Sequence, residues 1–199
     1  MPVRLSASAR RRQLLDVALA AFGSAGYHDA SMADIAREAG VTKPVLYQHF
    51  DSKRALYRQV VAEAGDRLIA AVDAATAGAT SPRDRVEQGF AAYVTFLAHN
   101  PACDAVLFVH APAPDLELVD DVGKVRRALA STFGALAAGD ALGPAECLLI
   151  GHALVGFAGA ATRQWMAAGE TIPSEQLACF LSETIWAGLD ARAAAPTPG

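Results

Sequence analysis

At 199 residues, 53% of them hydrophobic and 19% charged, the chain can bury one large core or two small ones, which argues against disorder. Its three cysteines, Cys103, Cys147 and Cys179, are widely spaced with no CxxC pair, so no disulfide framework, metal site or cofactor is expected. The net charge of -4 hides an asymmetry: residues 1–60 hold nine Lys/Arg against five Asp/Glu, a net +4, and residues 61–199 hold eight against sixteen, a net -8.

That distribution reads as a basic head on an acidic body and keeps a nucleic-acid partner open. No stretch reaches the roughly 18 uninterrupted apolar residues of a membrane span. Arg10, Arg11 and Arg12 are not followed by the apolar run and cleavage site of a signal peptide. The expectation is a cytoplasmic chain with no membrane partner.

Along the chain, Leu14, Ala18 and Phe22, and Leu15 and Leu19, recur at helical spacing, and no stretch alternates long enough to argue a strand. Gly, Pro and capping residues cluster at 23–26, 40, 51–52, 77–82, 100–101, 111–114, 139–144 and 169–173, which divides an all-α chain into about nine helices. Ser31 with Asp34, and Ser81-Pro82-Arg83-Asp84, have the form of N-caps with an acid three residues on. Pro82 and Pro144 suit first helical turns.

Residues 31–50 carry the most specific signal. Two short helices, about 32–39 and 43–49, are separated by Gly40-Val41-Thr42, the spacing of a helix-turn-helix. Gly40 can take the left-handed conformation that ends the first helix, Val41 plugs the corner and Thr42 caps the second. Met32, Ile35, Ala36, Val45, Leu46 and Phe50 can pack on Leu15, Ala18 and Phe22, leaving Lys43, Tyr47, Gln48 and His49 outside. Cations open three helices: Arg10 to Arg12 the first, Lys43 the third, Lys53 and Arg54 the fourth. A cation is disfavoured at a helix N-terminus, and a docked phosphate would turn each into a paired charge.

The run LLDVALAAFGSAGYHDASMADIAREAGVTKPVLYQHFDSKRALYRQVV closely resembles the N-terminal domain of TetR-family transcriptional repressors over about residues 10–60. Its most specific parts are 21–27, 35–41 and 46–53. Pro44 stands where family members often carry a small residue, and Gln48 replaces a frequent second Tyr. The resemblance implies a three-helix DNA-binding domain over 1–52 and a helical ligand-binding and dimerisation domain over 53–199. With the exposure expected of them, it implies that Ser31, Thr42, Tyr47, His49 and Lys53 hold phosphates, while Lys43, Pro44, Val45 and Gln48 face base edges. Packing is the alternative role for Tyr47, and helix capping for His49.

In the body, Val86, Phe90, Tyr93, Val94 and Leu97 share one face of the helix beginning near Pro82. Tyr93, Phe96, Leu97, Phe108, His110, Phe157 and Trp165 are the candidates for an apolar pocket with polar anchors, and ordinary core is the competing role for each. Residues 147–161, CLLIGHALVGFAGAA, have no polar face apart from His152 and must be covered all round. At that length the stretch suits packing on its own body on one side and on a partner subunit on the other rather than a bilayer, with Gly151, Gly156 and Gly159 allowing close approach, and a deep monomer core is the alternative. The expected function is a ligand-responsive repressor that binds a palindromic double-stranded DNA operator as a homodimer and is released by a small apolar or amphipathic effector. The alternatives are a helical enzyme, for which no catalytic motif is found, and a ligand-independent DNA-binding protein.

Overall fold

The computed structural model describes residues 6–110, 115–138 and 143–193, the side chains of 138 and 188–193 excepted. Among them lie α1 (Ala7–Asp29), α2 (Met32–Glu38), α3 (Lys43–His49), α4 (Lys53–Thr76), α5 (Pro82–His99), α6 (Pro101–Asp104), a π-helical turn (Ala105–Val109), α7 (Leu116–Ala138), α8 (Pro144–Ala167) and α9 (Ser174–Ala193). The chain is all-α, with no strand among the described residues. The expected breaks at 111–114 and 139–142 lie outside the described residues.

Local chemistry accounts for most boundaries. Ser31, Ser52 and Ser81 each accept the backbone N–H three residues on, at 3.1, 3.0 and 3.1 Å, satisfying first-turn donors that have no intrahelical partner. α1 starts earlier than its arginines suggest: Ser6 caps it by accepting the Ala9 N–H at 3.2 Å, so Arg10 to Arg12 ride the second turn rather than opening the helix. Gly26, at φ +76, breaks α1 near its end. The segment between the expected breaks at 100–101 and 111–114 is a single α-turn followed by a π-turn, in which His110 N–H bonds Ala105 O at 2.8 Å.

The chain forms two compact units. One comprises residues up to Asp66 with Asn100–Arg126, and the other Arg67–His99 with residues from Arg127 onward. In the first, Leu14, Ala18, Phe22, Ile35, Leu46, Phe50, Leu56 and Tyr57 are buried. Phe22 and Tyr27 both set their rings edge-on against Tyr57, at 5.1 and 4.9 Å. Such pairs are worth about 0.5–1.5 kcal/mol each beyond area burial. α6 seats Ala102 against Gly23 of α1, where a Cβ would come within 2.8 Å.

In the second unit, Phe90, Tyr93 and Phe133 make an aromatic cluster, with centroids 5.5 and 5.6 Å from Phe133. α7 and α8 approach backbone to backbone: a Cβ on Gly134 would run into the Cys147 carbonyl, and one on Gly151 into the Ala130 carbonyl. α8 buries Gly151, Leu154, Val155, Ala158, Gly159, Thr162 and Trp165. Away from that buried stripe Leu149 and Phe157 are exposed, Leu149 at 72%, and Leu148 is exposed near the start of the helix. Gly156 is exposed with nothing within 4 Å of its Cβ direction, while Gly151 meets the α7 backbone and Gly159 the Tyr93 hydroxyl.

One sequence expectation changes here. The apolar stretch of 147–161 is part of a 24-residue helix whose mean hydropathy reaches 1.4, long and apolar enough to cross a membrane by length and composition. A core or interface helix of a soluble protein meets the same test, and a third of the apolar window is already buried.

Candidate nucleic-acid interface

The corner between α2 and α3 is built by backbone hydrogen bonds. Gly40 takes φ +66, its N–H bonds Arg37 O at 3.1 Å, and Val41 N–H reaches Ala36 O at 2.9 Å. This is the paired closure of a Schellman turn, which needs a residue at ease with positive φ. α3 then turns Leu46 inward, fully buried, with Phe50 buried just beyond its end. Lys43, Pro44, Tyr47 and Gln48 face solvent, Tyr47 at 40% exposure, while Val45 and His49 are half-buried. Lys43 Nζ lies 5.9 Å from the Tyr47 ring one turn on.

Thr42 occupies the N-cap position of α3 without a side-chain capping bond, contrary to the expected cap. Pro44 lacks an N–H, which removes one of the two donors a cap could serve. The exposed hydroxyl is left for another partner. Ser31 is the opposite case: besides capping α2, it donates to Asp34 Oδ2 at 2.7 Å, and Asp34 also pairs with Arg37 at 2.8 Å.

The cations at the helix starts separate into two groups. Lys43 and Arg12 are exposed. The others have partners on the protein itself. Arg11 donates to His49 O and to Gln59 Oε1, and lies over the Phe50 ring. Lys53 donates to His28 O at 2.8 Å and sits 4.9 Å from the Tyr27 ring centroid, a setting whose desolvation lowers its pKa. Arg54 pairs with Asp115 and Glu117, and Arg58 with Asp121 at 2.7 Å. These internal partners were not foreseen from the sequence, because the acids lie more than 60 residues along the chain.

The family model described as bacterial regulatory proteins, tetR family, matches residues 14–60, the segment that builds this corner and its supports. A transcriptional activator, FasR of Mycolicibacterium smegmatis, is 30% identical over 187 residues, 94% of this chain and 85% of that protein. The chain belongs to the TetR family. The TetR-like regulator from Rhodococcus sp. RHA1 superposes with a TM-score of 0.77 at 28% identity, covering 94% of this chain and 99% of that one. The regulator BetI of Escherichia coli shares 39% identity over 72 residues, 36% of this chain and 37% of its own length. This TetR-family chain is therefore a DNA-binding transcriptional regulator, and the relatives named here are regulators rather than enzymes.

In this TetR-family regulator the seven candidate ligand residues divide between the two units. Phe108 and His110 belong to the first: Arg126 stacks over Phe108 at 5.7 Å, and His110 Nε2 donates to Gly23 O at 3.1 Å. Tyr93, Phe96, Leu97, Phe157 and Trp165 belong to the second. Tyr93 and Leu97 are fully buried, Phe96 is half-buried, and Phe157 is 39% exposed on the outward side of α8. Trp165 lines a cleft of about 520 Å³ with Ala98, His99, Glu170 and the 171–174 segment, and its indole N–H donates to Ile172 O at 2.9 Å. No group of three or more His, Cys, Asp or Glu suited to a metal is found among the described residues.

Proposed function

We propose that this regulator binds a palindromic or near-palindromic duplex site as a symmetric homodimer and is released from it by a small apolar or amphipathic effector. One observation carries the DNA half of the reading: α3 exposes Lys43, Pro44 and Gln48 on one side while Leu46 and Phe50 anchor the other. In the major groove Lys43 can donate to guanine acceptors, Gln48 can pair adenine, and Pro44 or Val45 can touch a thymine methyl. Thr42, Tyr47 and His49 would hold phosphates, as would Lys53, whose ammonium keeps two donors beyond the one given to His28. Ser31 joins them only by turning its hydroxyl from Asp34.

The dimer is inferred from α8, whose exposed Leu149 and Phe157 would lose water against a second copy. The effector is placed in the second unit beside Trp165, in a cleft of ordinary ligand size. α4 follows α3 with three residues between them and continues as one helix into residues of the second unit, giving a covalent path for coupling. A coupling of about 1–3 kcal/mol would be typical. With chromosomal DNA as partner, the cytoplasm is the working compartment.

Selection of duplexes from a random pool tests the reading, with a dyad-symmetric consensus as the expected result. A thermal-shift screen of hydrophobic metabolites, followed by duplex titrations, tests the effector. Binders that stabilise the protein and leave duplex affinity unchanged would remove the effector from the function. Activation is the second reading, favoured by the name of the FasR relative. A selected site upstream of a promoter rather than across it would decide for activation.

A further inference from the structure

Arg11 stands in a basic run at the start of the DNA-binding head, yet each of its contacts is internal. Nη1 donates to His49 O at 3.0 Å, Nη2 donates to Gln59 Oε1, and the guanidinium carbon lies 4.7 Å from the Phe50 ring centroid. A single side chain on α1 thus joins the last residue of α3, the residue that follows it, and α4.

We infer that Arg11 is the positioning residue of the recognition helix, holding α3 by its C-terminal end rather than holding a phosphate. α3 has only seven residues, too few to persist without tertiary support. Its N-terminal end has no side-chain cap bond. The carbonyl of His49 is one of the last four of the helix, which have no intrahelical donor, and a cation there also suits the helix dipole. Phe50, beneath the guanidinium, is 2% exposed, so the stack is formed against a fixed surface. The arrangement uses what distinguishes arginine from lysine: a planar fork that donates in two directions while its face rests on an aromatic ring. Beside it, Arg10 donates to Gln13 Oε1 at 2.7 Å, and Gln13 Nε2 reaches Ala39 O at 3.3 Å, where α2 ends. The second turn of α1 therefore tethers both helices of the motif at their C-terminal ends.

Arg11→Lys separates this role from a phosphate contact, because lysine keeps the charge and loses the fork. The comparison uses wild type, Arg11→Lys and Arg11→Gln on the duplex that wild type selects from a random pool and on one random-sequence duplex, across a salt series, with circular-dichroism melts of each protein. Both variants are expected to bind the selected duplex roughly tenfold more weakly, equivalent to about 1.4 kcal/mol. Random duplex should lose less, and the salt slope should be unchanged. Amide hydrogen exchange in the free protein should quicken over 46–50 in Arg11→Lys while the middle of α1 keeps its protection, a readout that needs no DNA.

Wild-type behaviour of Arg11→Lys, with a loss and a slope flattened by about 0.9 in Arg11→Gln, would make Arg11 a phosphate ligand and overturn the inference. So would unchanged exchange over 46–50, or an affinity loss that follows the melted fraction alone. If Arg11→Gln does not fold, Arg11→Lys decides by the same two readouts.

Discussion

α3 and α8 both leave side chains in water, for opposite chemical reasons. On α3 the exposed groups include the ammonium of Lys43 and the amide of Gln48, which lose little by being solvated and can be offered to base edges. On α8 they include Leu148, Leu149 and Phe157, which gain only when covered, about 1.5–3 kcal/mol for each fully buried side chain. Exposure by itself therefore does not name a partner. The atoms exposed do, and they separate a surface suited to nucleic acid from one suited to another apolar surface.

The largest expected effect breaks the inward side of α8. Gly151→Val would drive a branched side chain into the Ala130 carbonyl and within 2.9 Å of Gly134 N, both backbone atoms that cannot rotate away. Overpacking of this kind costs about 1–3 kcal/mol where side chains can adjust, and more here, so thermal unfolding should show a large loss of stability. A melt unchanged from wild type would mean that α7 and α8 are not held at this distance.

Next comes the outward side. Leu149→Glu changes a residue that is 72% exposed, so the subunit's own fold should be spared while self-association weakens by about 2 kcal/mol or more. Light scattering at micromolar concentration should show a shift to monomer. A dimer of undiminished strength would assign this face to something other than a second copy.

The head's buried polar group offers a comparable effect through pH. Tyr57 is 1% exposed, its hydroxyl has no hydrogen-bond partner among the described residues, and burial pushes its pKa up to about 12. A raised folded-state pKa favours the neutral phenol, so this stability is complete below pH 10 and is lost as pH rises from 10 towards 12. At about 1.4 kcal/mol per unit, the alkaline loss is on the order of 2–3 kcal/mol. Tyr57→Phe should remove that part of the alkaline limb in pH-dependent melts, and an identical limb would place the titrating group elsewhere.

On the outward side of α3, Gln48→Ala should cost roughly 1–3 kcal/mol on the selected duplex and little on random DNA. Recovery of the same consensus at the same strength would remove Gln48 from base reading. Glu117→Gln is expected to do least: the Arg54–Glu117 pair is well exposed on the acid's side, and such pairs contribute about 1 kcal/mol or less. Freeing Arg54 from an acid could only strengthen duplex binding slightly, and a marked weakening in a salt series would show that the pair positions α4.

The helix-turn-helix was legible residue by residue because its determinants are local. The positive φ of Gly40, the Ser31 cap and the inward set Ile35, Leu46 and Phe50 all act within a few residues, and the structure keeps each of them; the side-chain cap expected of Thr42 is the exception. The ligand candidates were less legible, since an apolar residue at helical spacing serves a core as readily as a cavity. Tyr93 and Leu97 went to the core, Phe157 to the surface and Trp165 to the edge of a cleft.

By itself the sequence determined the all-α class, the corner between α2 and α3, and the exposure of Lys43, Tyr47 and Gln48, because hydrogen bonds and packing spanning at most a few turns decide these; His49, expected outside, and Val45, expected inside, are both half-buried. Only the tertiary structure decided where the cations went. Arg11 meets a carbonyl 38 residues away, Lys53 one 25 away, and Arg54 an acid 63 away. A charge on a helix surface is equally compatible with solvent, phosphate or a distant partner until folding brings that partner within hydrogen-bonding reach.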